Sequence, residues 1–211
     1  MKRKRTIRIG VIADTHGLFD PALIRHFRGV DHILHAGDIG QPSVIQELQS
    51  IAPVTAVSGN VDGYERSGYP SERIIKMAGR RVAIRHILYE GGKLTGEGRA
   101  FLERARPDIC IFGHTHQPWI ERFGHTLLFN PGSAGPRRFT LPRGIGILTI
   151  GKNQYVPTLI RLPSRVQMAV SREQQKEIRS KREKLRAKEA PCKNWLRKKW
   201  QMIYHATNIV Q

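Results

Sequence analysis

Seven residues of this chain, Asp14, His16, Asp38, Asn60, His86, His114 and His116, are carboxylates, imidazoles and one amide, and each lies at or just beyond the end of a short apolar run. A donor set of this kind, without a thiolate, suits a pair of borderline to hard divalent cations such as manganese, iron or zinc, and it disfavours a structural zinc site. In Asp14-Thr15-His16 and His114-Thr115-His116 the donors lie two apart, and in extended chain such residues project to one side and can reach a shared centre. Gly113 lets the backbone turn sharply before the second pair. Taken singly, each pair is a polar turn. Seven positions filled together favour metal chemistry.

These residues need elements to position them. Ile7 to Ala13 reads as a strand that delivers Asp14 and His16 past its end, where ligands bind in open α/β folds. Asp20 as N-cap and Pro21 as first helical residue predict a helix over Pro21 to Phe27. Asp31 to His35 forms a second strand, ending in Ala36-Gly37-Asp38, and Ser43 to Gln49 a helix with Val44, Ile45 and Leu48 on one face. Val54 to Val57 forms a third strand, ending in Ser58-Gly59-Asn60. This βαβ rhythm predicts parallel strands whose polar ends share one edge of a sheet.

Beyond Asn60 the pattern changes. Arg73 to Met77 and Arg81 to Ile84 flank a hairpin turn at Ala78-Gly79-Arg80. A helix is expected over Gly96 to Arg106, then a buried strand from Asp108 to Phe112. Trp119 to Arg122 and Thr126 to Phe129 form another hairpin, and Gly144 to Ile150 with Tyr155 to Leu162 a last antiparallel pair. A βαβ first half and a hairpin-rich second half predict two sheets.

At 211 residues with 39% hydrophobic content, the chain can build one domain with a sizeable core plus an extension. Only Cys110 and Cys192 are present, which excludes a disulfide framework and fits a reducing compartment. The basic start Met1-Lys-Arg-Lys-Arg precedes an apolar run that Arg8 interrupts, too short for a signal peptide core, and no segment approaches the length of a membrane span. The cytoplasm is the expected location. A net charge of +19 points to a polyanionic partner.

Composition shifts near Leu162-Pro163-Ser164, so residues 1–164 are expected to form the domain and 165–211 a basic, helical C-terminal extension. The extension holds thirteen Lys and Arg against four Glu, leaving +10 of the +19 on the domain. Leu196, Trp200, Ile203 and Tyr204 fall at helical spacing with Arg197, Lys198 and Lys199 between them. That stripe fits docking on the chain's own surface or on a second subunit in a homo-oligomer, or binding to nucleic acid or an anionic surface.

In their order and spacing, Asp14-x-His16, Gly37-Asp38, Gly59-Asn60-x-Asp62, His86, Gly113-His114-Thr115-His116 and Asn130-Pro-Gly-Ser133 resemble the calcineurin-like metallophosphoesterase superfamily, in its small single-domain phosphodiesterase branch, over roughly residues 7 to 162. The resemblance implies a four-layer α/β/β/α sandwich of two mixed sheets with two divalent metal ions, manganese first and iron, zinc or nickel as alternatives. It implies that Asp14, His16 and His116 hold one ion, that Asn60, His86 and His114 hold the other, and that Asp38 bridges them. A hydroxide between the ions would attack phosphorus, with Asp38 and Asn60 in the catalytic centre and Asp62 orienting a ligand.

Two positions depart from the pattern. Many superfamily members carry a histidine where this chain has Val61, which cannot donate a proton; the branch commonly lacks it too. The branch usually reads His-Gly-His where this chain reads His86-Ile87-Leu88. The resemblance therefore implies a phosphodiesterase acting on a small phosphodiester or other phosphate ester, with activated or diester substrates preferred over alkyl monoesters. The alternative is a non-catalytic scaffold, as in the retromer subunit built on this fold, or a nucleic-acid-associated binding protein.

Overall fold

Alternation along the strands divides the apolar side chains among three cores, and the layers follow from that division. The computed structural model describes residues 6–63, 68–138, 140–152 and 154–164; the expected extension over 165–211 lies outside the described residues. In chain order the elements are β1 (Ile7–Ile12), α1 (Ala22–His26), β2 (His32–His35), α2 (Pro42–Gln49), β3 (Val54–Ala56), β4 (Glu72–Met77), β5 (Arg80–Arg85), β6 (Tyr89–Glu90) and β7 (Lys93–Leu94). There follow α3 (Gly96–Ala105), β8 (Ile109–Ile111), β9 (Trp119–Phe123), β10 (Thr126–Asn130), β11 (Gly144–Ile150) and β12 (Tyr155–Arg161).

One sheet has the order β12-β11-β1-β2-β3 and the other β4-β5-β8-β10-β9. In the first, β1, β2 and β3 run parallel while β11 is antiparallel to β1, with Ile9 opposite Leu148. In the second, β5, β8 and β10 run parallel. Ile9, Val11, Leu34, Val82, Ile84, Ile109, Ile111, Leu127, Phe129 and Leu148 face one another between the sheets. Leu23, Phe27, Val44, Ile45 and Leu48 pack α1 and α2 on the outer face of the first sheet, against Ile12, Ile33 and Ile145. Phe101, Leu102 and Ala105 pack α3 on the outer face of the second, against Ala83, Cys110 and Phe112. The result is the expected α/β/β/α sandwich. Gly10 admits Phe27 to the outer core, since a Cβ there would come within 2.9 Å of the ring.

Local chemistry sets the boundaries. The helix expected from Pro21 begins at Ala22, whose N–H is capped by Asp20 Oδ1 at 2.9 Å. Thr95 caps α3 by accepting from Gly98 N–H, and Arg106 ends it in the left-handed region, φ 39°. The β4–β5 turn tightens to Ala78-Gly79, φ 48° and 82°, with Met77 paired to Arg80. The β6–β7 hairpin around Gly91-Gly92 was not expected from the sequence. Among the described residues no helix is long and apolar enough to cross a membrane.

One expectation changes in a way that matters for chemistry. The polar strand ends do not share the edge of a single sheet: Asp14, His16, Asp38 and Asn60 follow β1, β2 and β3, whereas His86, His114 and His116 follow β5 and β8 of the other sheet. The two sheets bring the ends of their parallel strands together, and the seven residues converge across the gap.

Candidate metal centre

Asp14, His16, Asp38 and His116 each offer a donor atom, and these four atoms lie within 4.8 Å of one another. His116 Nε2 is 3.3 Å from Asp14 Oδ1 and 3.2 Å from His16 Nε2, and His16 Nε2 is 3.8 Å from Asp38 Oδ2. The other oxygen of Asp38 faces a second group: Oδ1 is 3.3 Å from His86 Nε2, which is 3.1 Å from Asn60 Oδ1, itself 3.1 Å from His114 Nδ1. Asp38 therefore stands between the two groups and offers one oxygen to each.

The donor spacing fits divalent cations. Ligand atoms held at about 2.0–2.2 Å by one tetrahedral ion lie about 3.3 Å apart, and the closest pairs of both groups, 3.1 to 3.3 Å, match that separation. Asp14 Oδ2 and His116 Nδ1 are buried without a hydrogen-bond partner. The buried Asp14 carboxylate is therefore incompletely compensated, and a cation at its Oδ1, beside His116 Nε2, would offset that charge. His86 donates its Nδ1–H to the Ala36 carbonyl at 2.7 Å, which turns Nε2 towards Asp38 and Asn60. Fixing one ring nitrogen with a carbonyl is how a metal-binding imidazole is oriented.

Burial acts to lower the pKa of His86, but the hydrogen bond to Asp38 and the charges of Asp14 and Asp38 outweigh it and raise the pKa. Burial likewise opposes ionisation of Asp38, yet the His86 hydrogen bond and charge and the Val61 N–H hold it down at about 2. His16 is lowered, first by burial and then by Arg138, against the pull of Asp38 and Asp14. The ionised Asp38 thus draws positive charge to the centre.

The backbone is bent to make this arrangement. Among the described residues, seven non-glycine residues have positive φ, and five of them are Asp14 (53°), His16 (47°), Asp38 (55°), His114 (68°) and His116 (56°). The left-handed region costs about 1–2 kcal/mol for a residue with a Cβ. The strain is held by pairing of the loops after β1 and β2: Asp14 N–H donates to Gly37 O at 3.0 Å, His16 N–H to Asp38 O at 2.9 Å and Gly17 N–H to Ile39 O at 2.7 Å. Strain of this kind collects at functional sites.

Asp62 does not reach the cluster of donors. Its carboxylate accepts from the backbone N–H groups of Gly59 at 2.7 Å, Gly40 at 2.8 Å and Ile39 at 3.1 Å, so it ties the Asn60 loop to the Asp38 loop. Asn130, part of the Asn130-Pro-Gly-Ser133 motif but outside the expected donor set, is buried and donates Nδ2–H to Gly113 O at 2.9 Å and to Thr115 Oγ1 at 3.1 Å, bracing the His114 loop. Ser133 Oγ donates to Asp14 O at 2.9 Å. His35 is fully buried between Thr15 Oγ1 and Gly37 N–H, beneath the Asp14 loop, and burial lowers its pKa to about 4. His32 bonds Thr55, His26 is half-buried and His125 is exposed; none of the three joins the cluster.

Sequence reasoning missed the buried pair Asp20–Arg143. Arg143 Nη1 lies 2.9 Å from Asp20 Oδ2, and the same guanidinium donates to the carbonyls of Ala134, Gly135 and Pro163. It thereby holds the loop whose Ala134 and Gly135 N–H groups donate to the carbonyls of Ala13 and Asp14. Arg143 reads as one more surface cation in a chain of this charge, so no sequence signal marked it. The Ile87-Leu88 departure is resolved locally: Leu88 is fully buried in the outer core with Phe101, and Ile87 lines the cleft beside His86.

Residues 7–153 match the family model of the calcineurin-like phosphoesterase superfamily domain. A probable metallophosphoesterase of Methanothermobacter thermautotrophicus is 36% identical over 72% of this chain and 91% of its own length. A phosphodiesterase of Methanocaldococcus jannaschii is 29% identical over 71% of this chain and 96% of its own. Among solved structures, Vacuolar Protein Sorting 29 from Cryptosporidium parvum superposes with a TM-score of 0.64 at 19% identity, covering 76% of this chain and 94% of that one.

Proposed function

This chain belongs to the calcineurin-like phosphoesterase superfamily, and we propose that it is a phosphodiesterase that works with two divalent cations. The observation that carries this reading is the division of Asp38, one carboxylate oxygen towards His16 and the other towards His86, between two donor groups of metal-ligand spacing. We assign Asp14, His16 and His116 to one cation, Asn60, His86 and His114 to the other, and Asp38 to both. Manganese is the first choice, with iron, zinc and nickel as alternatives. Such cations supply charge neutralisation for the phosphoryl oxygens and a water acidic enough to serve as nucleophile near neutral pH.

The chain's own residues do the rest. Asp38, held ionised, fixes the separation of the two groups. Asn60 turns its amide oxygen to His86 and His114, and Asp62 keeps the Asn60 loop against the Asp38 loop. Val61 donates its backbone N–H to Asp38 Oδ1 at 3.0 Å, while its side chain is 44% exposed and offers no proton to a leaving group. General acid assistance contributes about 10²–10⁴-fold, so its absence favours leaving groups that depart unaided, as in aryl diesters. The buried Cys110, its thiol pushed up to about 12 by burial, is an unreactive packing residue of the outer core.

The likeness to Vacuolar Protein Sorting 29 is one of fold, and a scaffold on this fold is the alternative; a complete donor set favours the enzyme. Purification followed by metal analysis, with hydrolysis of bis(p-nitrophenyl) phosphate in manganese and in chelator, tests the choice. Two equivalents of metal and manganese-dependent turnover are expected. Bound metal without turnover of any phosphate ester supports the scaffold.

A further inference from the structure

Two clefts open from the metal centre on either side of Glu90. The larger, about 720 Å³, is lined by Asn60 and His86 from the centre and by Ser58, Ser71, Arg85 and Glu97 further out. The smaller, about 370 Å³, is lined by His114 and by Tyr89, Gly91, Gly92, Gln117 and Trp119. Glu90 borders both, and its carboxylate lies 3.8 Å from His114 Nε2. Asn60 and His114, one in each cleft, are in contact through the Asn60 amide oxygen. A tetrahedral phosphodiester sends its two ester arms in different directions, so a phosphorus at the centre finds one cleft for each.

The linings differ. The walls of the larger cleft carry hydroxyls and the Arg85–Glu97 ion pair, which suits a hydroxylated arm. In the smaller cleft the aromatic rings form a ladder from the core outwards: Phe112, fully buried, contacts Tyr89 at 5.7 Å between centroids, and Tyr89 stacks on Trp119 at 5.3 Å and 28°. Trp119 donates its indole N–H to Glu121 at 2.9 Å, which fixes the ring as a plate. The same cleft is lined by the β6–β7 turn, where Gly91 and Gly92 have positive φ and a Cβ at either would meet nothing within 4 Å. A fixed, partly exposed indole in the wall of a cleft can serve as a stacking platform for a planar group.

We infer that the small cleft takes a nucleoside arm stacked on Trp119, and that the substrates are phosphodiesters with one nucleoside arm and one hydroxylated arm. The inference rests on the phosphodiesterase reading above.

The test compares thymidine 5′-(p-nitrophenyl) phosphate with methyl p-nitrophenyl phosphate, using wild type, Trp119→Leu and Trp119→Phe. Wild type is expected to show a KM about tenfold lower for the thymidine ester. Trp119→Leu collapses that ratio towards one, whereas Trp119→Phe, which keeps a ring, retains most of it. Equal KM values in wild type, or a ratio that survives Trp119→Leu, overturn the inference. If Trp119→Leu does not fold, the wild-type ratio decides alone. If wild type hydrolyses neither ester, the phosphodiesterase reading falls. Titration with thymidine monophosphate against glycerol phosphate then judges the cleft: tighter nucleotide binding that is lost in Trp119→Leu upholds it, and equal binding overturns it.

Discussion

The backbone of Gly59 lies directly against Asp38, so that a Cβ at Gly59 would overlap both the Asp38 carboxylate and its backbone nitrogen. Two loops from neighbouring parallel strands are thereby packed backbone to backbone under the centre. Because part of the obstruction is main chain, it cannot move aside as a flexible side chain can. Gly59→Ala is expected to weaken metal binding at least about tenfold, the scale of lost support around a metal site. Calorimetric titration with manganese checks this; unchanged affinity would show that the loops tolerate separation.

Asp38 and His86 should differ in what their loss removes. His86→Ala takes a donor from one group only, so about one equivalent of metal should remain by elemental analysis. Asp38→Asn weakens both groups and should lower kcat/KM by on the order of 10²–10³, as for loss of one strong electrostatic contact to the transition state. Two equivalents in His86→Ala would remove it from the donor set.

Val61 sets substrate preference by what it lacks. Wild type is expected to favour aryl diesters over alkyl monoesters, and Val61→His to raise the rate on alkyl monoesters by about 10² or more with little gain on aryl diesters. Parallel rate measurements on both classes decide. An equal gain on both would place the effect elsewhere.

The Asp20–Arg143 pair is a stability element beneath the centre, with both side chains almost fully buried. Removing one partner leaves a buried charge unpaired, at a cost of about 3–5 kcal/mol. Arg143→Met should lower Tm by roughly 10 °C, and Asp20→Asn combined with it should add little more. Strict additivity in thermal melts of the double variant would show that the two side chains do not act as a pair.

His35 makes stability depend on pH. Its folded pKa is about 4, below the ordinary 6.5, so the unfolded chain binds a proton that the folded chain excludes between those values. The contribution is complete above pH 6.5 and is lost as pH falls towards 4, on the order of 3 kcal/mol in all. Denaturant titrations of metal-free protein between pH 7 and pH 4 should show this decline as the difference between wild type and His35→Gln, in which the opposing shift of His86 cancels. His35→Gln should be less stable at pH 7 and flatter across the range.

The placement of the seven candidate residues at strand ends, the β–α alternation and three of the hairpins were legible in the sequence because each depends on neighbours a few residues away. Asp14 and His16 had to follow β1, since a short apolar run can only end in a turn there. The four-layer order came instead from the resemblance of the motifs, with the alternation of apolar residues between two faces consistent with it.

What tertiary structure alone decided is how those strand ends meet. His16 and His116 are 100 residues apart, and their 3.2 Å contact exists because two separate sheets abut at the ends of their parallel strands. Local pattern carries no information about that packing. The same holds for Asp20 and Arg143, 123 residues apart, and for Tyr89 stacked on Trp119. A buried ion pair and an aromatic ladder depend on which surfaces the fold presses together, and the residue types alone, an acid, a base and two aromatics, are as common on the outside of a protein as within it.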